Sequence, residues 1–98
     1  MIWDISFRRR VIKQIRDLPE PVQKAVKFLV KDMQLSGPMA QTWPNFGKIK
    51  GKSDCYHCHL RKGRPTYVAV WQVIDPEMRL IEVKYVGTHE GADYRRIC

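Results

Sequence analysis

Apolar and polar positions along the 98-residue chain change their period once, near residue 46. Before that point Ile2, Trp3, Ile5 and Phe7 are β-prone and predict one short opening strand. Phe7, Val11, Ile15 and Leu18 then recur at helical spacing, with Arg8, Arg9, Lys13 and Arg16 on the other faces. Leu18-Pro19-Glu20-Pro21 stops that helix, and Pro21 suits the first turn of the next, where a missing N–H leaves no bond unmade. Val22, Ala25, Val26, Leu29, Val30 and Met33 make a broad apolar stripe that ends at Ser36-Gly37-Pro38. Two helices joined by so short a link form a hairpin.

Beyond residue 46 the period is two. Strands are predicted over 46–50, 55–61, 66–74 and 78–86, separated by turns at 51–54, 62–65 and 75–77. Residues 66–74 are almost wholly apolar, as expected of a central strand covered on both faces. The expected fold class is α+β: an N-terminal strand, a two-helix hairpin, then a four-strand antiparallel run forming one twisted sheet. Repeats, low-complexity tracts and linkers are absent, so residues 1–98 are expected to fold as a single domain.

Alternation along 55–61 sorts its side chains. Tyr56, Cys58 and Leu60 point to one face, and Cys55, His57, His59 and Arg61 to the other. The helices need an apolar face, so they are expected over Tyr56, Cys58 and Leu60. That leaves His57, His59 and Arg61 in a row on the open face.

Charge gives this row a context. The chain carries 18 Lys and Arg against 10 Asp and Glu, a formal charge of +8. Its densest basic stretch, 48–64, holds Lys48, Lys50, Lys52, Arg61, Lys62 and Arg64 together with two of the three histidines. Such a balance points to a polyanionic partner, nucleic acid ahead of an anionic membrane. Apolar runs stay well short of the ~20 residues of a membrane-spanning helix. The arginine cluster follows the first apolar residues, the wrong order for a secretory signal. Three cysteines are an odd count, unevenly placed, so a disulfide framework is not expected and a reducing cytoplasm is.

Imidazoles exchange protons near neutral pH. Cleavage of RNA by its own 2′-hydroxyl needs a base, an acid for the leaving 5′-oxygen, and cations for the crowded phosphorane. His57 and His59 offer a base, Arg61 and Arg64 cations, and His89 an acid. Tyr94 or Tyr85 offers a ring on which an RNA base stacks. The plain alternative is that these histidines are solvent-exposed strand and loop residues. Zinc is the rival chemistry, since Cys55-x-x-Cys58 sits among histidines. A strand, however, sends Cys55 and Cys58 to opposite faces, whereas zinc pairs sit on turns. No metal or small-molecule cofactor is expected, and Cys58 reads as a small core residue.

Three stretches carry a family resemblance: Gly47-Lys48-Ile49-Lys50-Gly51 through Asp54-Cys55-Tyr56-His57-Cys58-His59-Leu60-Arg61, then Tyr67-Val68-Ala69-Val70-Trp71-Gln72-Val73-Ile74-Asp75, then Tyr85-Val86-Gly87-Thr88-His89-Glu90. Together they resemble the RelE/ParE superfamily of bacterial toxin–antitoxin toxins, over essentially the whole chain. The resemblance implies a cytoplasmic endonuclease acting on mRNA in the ribosomal A site and neutralised by a cognate antitoxin. It implies a histidine-type, metal-independent site. His59 is then the base, His57 its assistant or a phosphate ligand, Arg61 with Arg64 the transition-state cations, His89 the acid, and Tyr94 a base platform. Lys48, Lys50, Lys52 and Lys62 join Arg64 in holding RNA. The products implied are a 2′,3′-cyclic phosphate and a 5′-hydroxyl. A gyrase-directed toxin of the ParE branch and a non-catalytic RNA- or ribosome-binding module are the alternatives.

Overall fold

The computed structural model describes residues 2–61 and 63–98. Strand β1 (Asp4–Phe7) leads into helix α1 (Arg9–Arg16) and helix α2 (Glu20–Ser36). Strands β2 (Gly47–Lys48), β3 (Cys55–Arg61), β4 (Tyr67–Asp75) and β5 (Leu80–Thr88) follow, and a short helix α3 (Tyr94–Ile97) ends the chain. Pro21 sits in the first turn of α2 as its ring geometry favours. Gln23 reaches back from α2 to donate from Nε2 to the carbonyls of Ile15 and Arg16, satisfying acceptors that the end of α1 leaves open. Gly37 ends α2 at φ 87°, and a Cβ there would lie 3.0 Å from the Trp3 indole. Only glycine meets both conditions without strain.

The five strands make one sheet in the order β1-β5-β4-β3-β2. The last four run antiparallel, as their short turns require. β1 pairs with β5 in parallel, so the sheet as a whole is mixed, while the four-strand run after the helices is antiparallel as expected. The physical reason is the crossover: α1 and α2 carry the chain over the sheet, and β1 takes the one free edge of β5. Beyond Val83 that edge is covered by α1, where Gln14 Oε1 accepts from the Val86 N–H at 3.0 Å.

The helices cover one face of the sheet. Val11, Val22, Val26, Leu29 and Met33 pack there against Cys58, Leu60, Ala69, Trp71, Ile81, Val83 and Val86. Trp71 is fully buried, and its Nε1 donates to the Pro38 carbonyl at 3.1 Å. Trp43 packs against the same core with its Nε1 donating to Asp32, so the aromatic loop 43–47 serves packing. Cys58 belongs to this core, and burial pushes its thiol pKa up to about 12. No helix among the described residues is long and apolar enough to cross a membrane.

The other face departs from the sequence expectation. It was expected to be open, yet part of it carries a second small core of Ile49, Cys55, Val70 and Ile97, with Tyr85, Ala92, Tyr94 and Cys98 packed against it. Cys55 is bonded to Cys98 in a disulfide. This corrects the cysteine reading: the start of β3 and residue 98 are 43 positions apart but meet because segment 92–98 folds back over the sheet.

Candidate functional site

The alternation of β3 places His57 opposite Val70 and His59 opposite Val68, on the face away from the two long helices. His57 is half-buried. Gly47 pairs with it on β2, and a Cβ at Gly47 would stand 3.3 Å from the imidazole Nε2, so glycine there leaves room for the ring. Tyr94 of α3 lies over the other side of the imidazole, with ring centroids 5.2 Å apart and planes 28° apart. The Asp93 carboxylate caps α3 by accepting from the Arg95 N–H, which fixes the turn that carries Tyr94. Neither His57 Nδ1 nor the Tyr94 hydroxyl finds a hydrogen-bond partner among the described residues, although both atoms are buried.

His89 follows β5. Its backbone N–H donates to the Thr66 carbonyl at 2.8 Å, holding the loop beside the start of β4. There the exposed His89 ring meets His59 edge-on, with centroids 5.6 Å apart, and Tyr94 at 6.4 Å. His57, His59, His89 and Tyr94 therefore form one cluster from two stretches of the chain, β3 and residues 89–94, about thirty positions apart.

Electrostatics separates the cluster's members. Burial, and then the nearby His59 and His89, lower the pKa of His57 below its ordinary 6.5, so that ring is neutral at pH 7. Burial raises the pKa of Tyr94, whose phenol stays protonated.

The arginines expected beside the histidines lie elsewhere. Between His59 and Arg61 the pairing slips by one residue, a β-bulge that sets Arg61 opposite Tyr67. Leu60 and Arg61 thereby both turn toward the helix side. Arg61 and Arg64 line a separate hollow of about 370 Å³ with Pro19, Pro21, Val22 and Tyr67. Placing Arg61 in the histidine row is thus corrected; strict alternation does not survive a bulge. Lys48 pairs opposite Tyr56 and so lies on the helix side of the sheet edge, while Lys50 and Lys52 flank the turn to β3. Lys62 lies outside the described residues. No three His, Cys, Asp or Glu side chains converge as a metal site among the described residues.

A second set of cations borders the cluster, and the sequence reading missed it as a set. Arg8, Arg10, Lys84 and Arg96 line a polar cavity of about 560 Å³ with Gln14, Tyr85, Gly91 and Asp93. None of the four clustered rings lines it, but Gly91 and Asp93 in its wall are close chain neighbours of His89 and Tyr94. Lys84 is held by Gln72 and, at 3.9 Å, by Glu82. Burial and the charge of Arg8 lower its pKa, with Glu82 opposing them. The cluster Arg8-Arg9-Arg10 was visible as a charge run, but its convergence with Lys84 and Arg96 depends on the fold.

No family model matches the chain. Solved structures do. A doubly substituted Escherichia coli toxin RelE in its free state superposes with a TM-score of 0.75 at 29% identity, covering 97% of this chain and 92% of that one. The same toxin bound to a peptide of the antitoxin RelB gives 0.72 at 31% identity, covering 93% and 87%. Toxin RelE1 of Methanocaldococcus jannaschii is 26% identical over 92 residues, which are 94% of this chain and 96% of that protein.

Proposed function

Because this chain belongs to the RelE family of toxins from toxin–antitoxin systems, we propose that it is an endoribonuclease that cuts mRNA presented by the ribosome. The observation that carries this reading is the contact of His59 with His89, 5.6 Å apart at the edge of the sheet. Two imidazoles at that spacing reach one phosphodiester from neighbouring sides. His59 takes the proton from the 2′-hydroxyl, and His89 gives a proton to the departing 5′-oxygen. The 2′-oxygen attacks phosphorus, the bond to the 5′-oxygen breaks, and a 2′,3′-cyclic phosphate remains.

His57, neutral at pH 7, donates a hydrogen bond to the phosphate or assists His59 once its ring is accessible. Tyr94, in contact with both His57 and His89, offers its ring to an RNA base. The strand continues into the cavity lined by Arg8, Arg10, Lys84 and Arg96, whose charges hold the phosphates on the leaving side. Arg61, Arg64 and Lys48 lie on the helix side or the rim and Lys50 and Lys52 at the turn before β3, and their role is to hold the ribosome's RNA rather than the scissile phosphate; Lys62 is assigned to the same role from its charge alone. Such a division suits a chain too small to enclose a substrate. The protein partner is a cognate antitoxin of the RelB kind, with an acidic or amphipathic segment that covers the basic surface.

The test adds the protein to a cell-free translation reaction and maps mRNA 5′ ends, beside a His59→Ala, His89→Ala double variant and a reaction with naked mRNA. Discrete cuts on translated mRNA, lost with the variant, are expected. Intact mRNA with the wild-type protein overturns the nuclease reading, and equal cutting of naked mRNA overturns dependence on the ribosome.

A further inference from the structure

We propose that Cys55 and Cys98 form a redox modification site that latches segment 92–98 over the His57 face of the sheet. Their Cα atoms are 6.5 Å apart, a separation that a disulfide spans without moving the backbone. Cys55 precedes His57 by two residues on the same face of β3, so the latch is anchored beside the ring it covers. The rest of the segment holds weakly. α3 is a four-residue turn in which Ile97 alone is buried, too short to be stable by itself. The closed arrangement also leaves His57 Nδ1 and the Tyr94 hydroxyl buried without a hydrogen-bond partner among the described residues, and water satisfies both once the segment lifts. Beyond the packing of Ile97 and the hydrogen bond that Arg8 Nη1 donates to its carbonyl, the covalent tie is what keeps the segment down.

Latching masks the site. His57 is enclosed between Gly47 and Tyr94, and one face of the tyrosine ring is spent on the imidazole. Each ring, half-buried, keeps only part of its surface for RNA while the segment is down. Reduction by a dithiol breaks the Sγ–Sγ bond: two electrons and two protons pass to Cys55 and Cys98, and the dithiol leaves as its own disulfide. Oxidised glutathione reverses the step. One cysteine thiolate displaces glutathione to form a mixed disulfide, and the second cysteine displaces the other glutathione. Cys58 does not compete, because it is buried in the core on the opposite face. The consequence for cutting rests on the ribonuclease reading above; the latch itself does not.

The test compares the full chain oxidised with oxidised glutathione and reduced with dithiothreitol, together with a Cys98→Ser variant. Peptide mapping of the oxidised protein is expected to recover a Cys55–Cys98 linked pair. Amide hydrogen exchange over 95–98 is expected to run about tenfold faster or more in the reduced protein, as a released terminal segment does. Cutting of translated mRNA should rise several-fold on reduction, and Cys98→Ser should match the reduced form with or without oxidant. Absence of the linked pair, or equal exchange in both redox forms, overturns the latch. Different exchange with equal cutting overturns the masking of the site. Different exchange with no cutting in either form upholds the latch and sinks the ribonuclease reading instead. The reduced wild-type protein carries the comparison even if the serine variant folds poorly.

Discussion

Consider the replacement of His57 by phenylalanine in the disulfide-bonded protein. The wild-type ring stacks on Tyr94 at 5.2 Å, and its Nδ1 is buried with no partner among the described residues. A buried polar atom left unpaired costs about 1–3 kcal/mol. Phenylalanine keeps the stack and removes that atom, and Gly47, lacking a Cβ, accommodates the larger ring. Allowing for some repacking, a gain of about 1 kcal/mol is expected, which raises the melting temperature of a domain this size by about 4–8 °C. The gain must also depend on pH. The folded pKa of His57 lies below its unfolded value of 6.5, so its contribution to stability is intact above pH 6.5 and is lost as pH falls. Below that point the unfolded chain takes up the proton first. The phenylalanine variant has no such loss, and its advantage therefore widens on acidification. Because the imidazole is only half-buried, solvent screening keeps the widening well below ~1.4 kcal/mol per pH unit. Thermal unfolding followed by circular dichroism at pH 7.5 and pH 5.5 measures both effects. A variant less stable than wild type at both values, with a difference that does not change with pH, refutes the reasoning.

Three further outcomes follow from the same structure. Leu29→Ala removes a fully buried side chain that joins α2 to the sheet, and urea denaturation should show a loss of about 2–5 kcal/mol. Gly37→Ala forces a side chain into φ 87° and against Trp3, and should lower stability by about 1–3 kcal/mol in the same assay. Arg10→Gln with Arg96→Gln should weaken binding of single-stranded RNA and flatten its dependence on log salt by about 0.7 per lost phosphate contact, as read by fluorescence anisotropy.

What could be read in advance was whatever depends on neighbours in sequence. The period-two run at 55–61 coincides with β3, and its split into Tyr56, Cys58 and Leu60 on one face and Cys55, His57 and His59 on the other holds in the two cores. The proline-marked link and the glycine stop delimit α2 for equally local reasons. Long-range pairing was not legible. Nothing in residues 4–7 announces a parallel partner 76 positions away, and the bulge after His59 arises from how β3 meets β4. Segment 92–98 is too short for a period, so neither α3 nor the approach of Cys98 to Cys55 could be foreseen. The cavity of Arg8, Arg10, Lys84 and Arg96 draws on three separate segments, and only the fold collects them. His57, His59 and His89 could be proposed together because each sits on or just beyond a strand whose phase was readable, whereas Tyr94 on α3 entered through its ring chemistry and the family resemblance; the mutual distances of all four were not readable.

The central claim is that paired imidazoles drive attack by the RNA's own 2′-hydroxyl, and the chemistry of the cut ends tests it most directly. RNA fragments from a translation reaction are ligated to an adapter with and without prior 5′ phosphorylation by polynucleotide kinase. The account predicts 5′-hydroxyl ends that ligate only after phosphorylation, opposite 2′,3′-cyclic phosphates. Ends carrying a 5′-phosphate as cut would mean that water attacked the phosphorus, and that His59 and His89 do not perform the chemistry assigned to them.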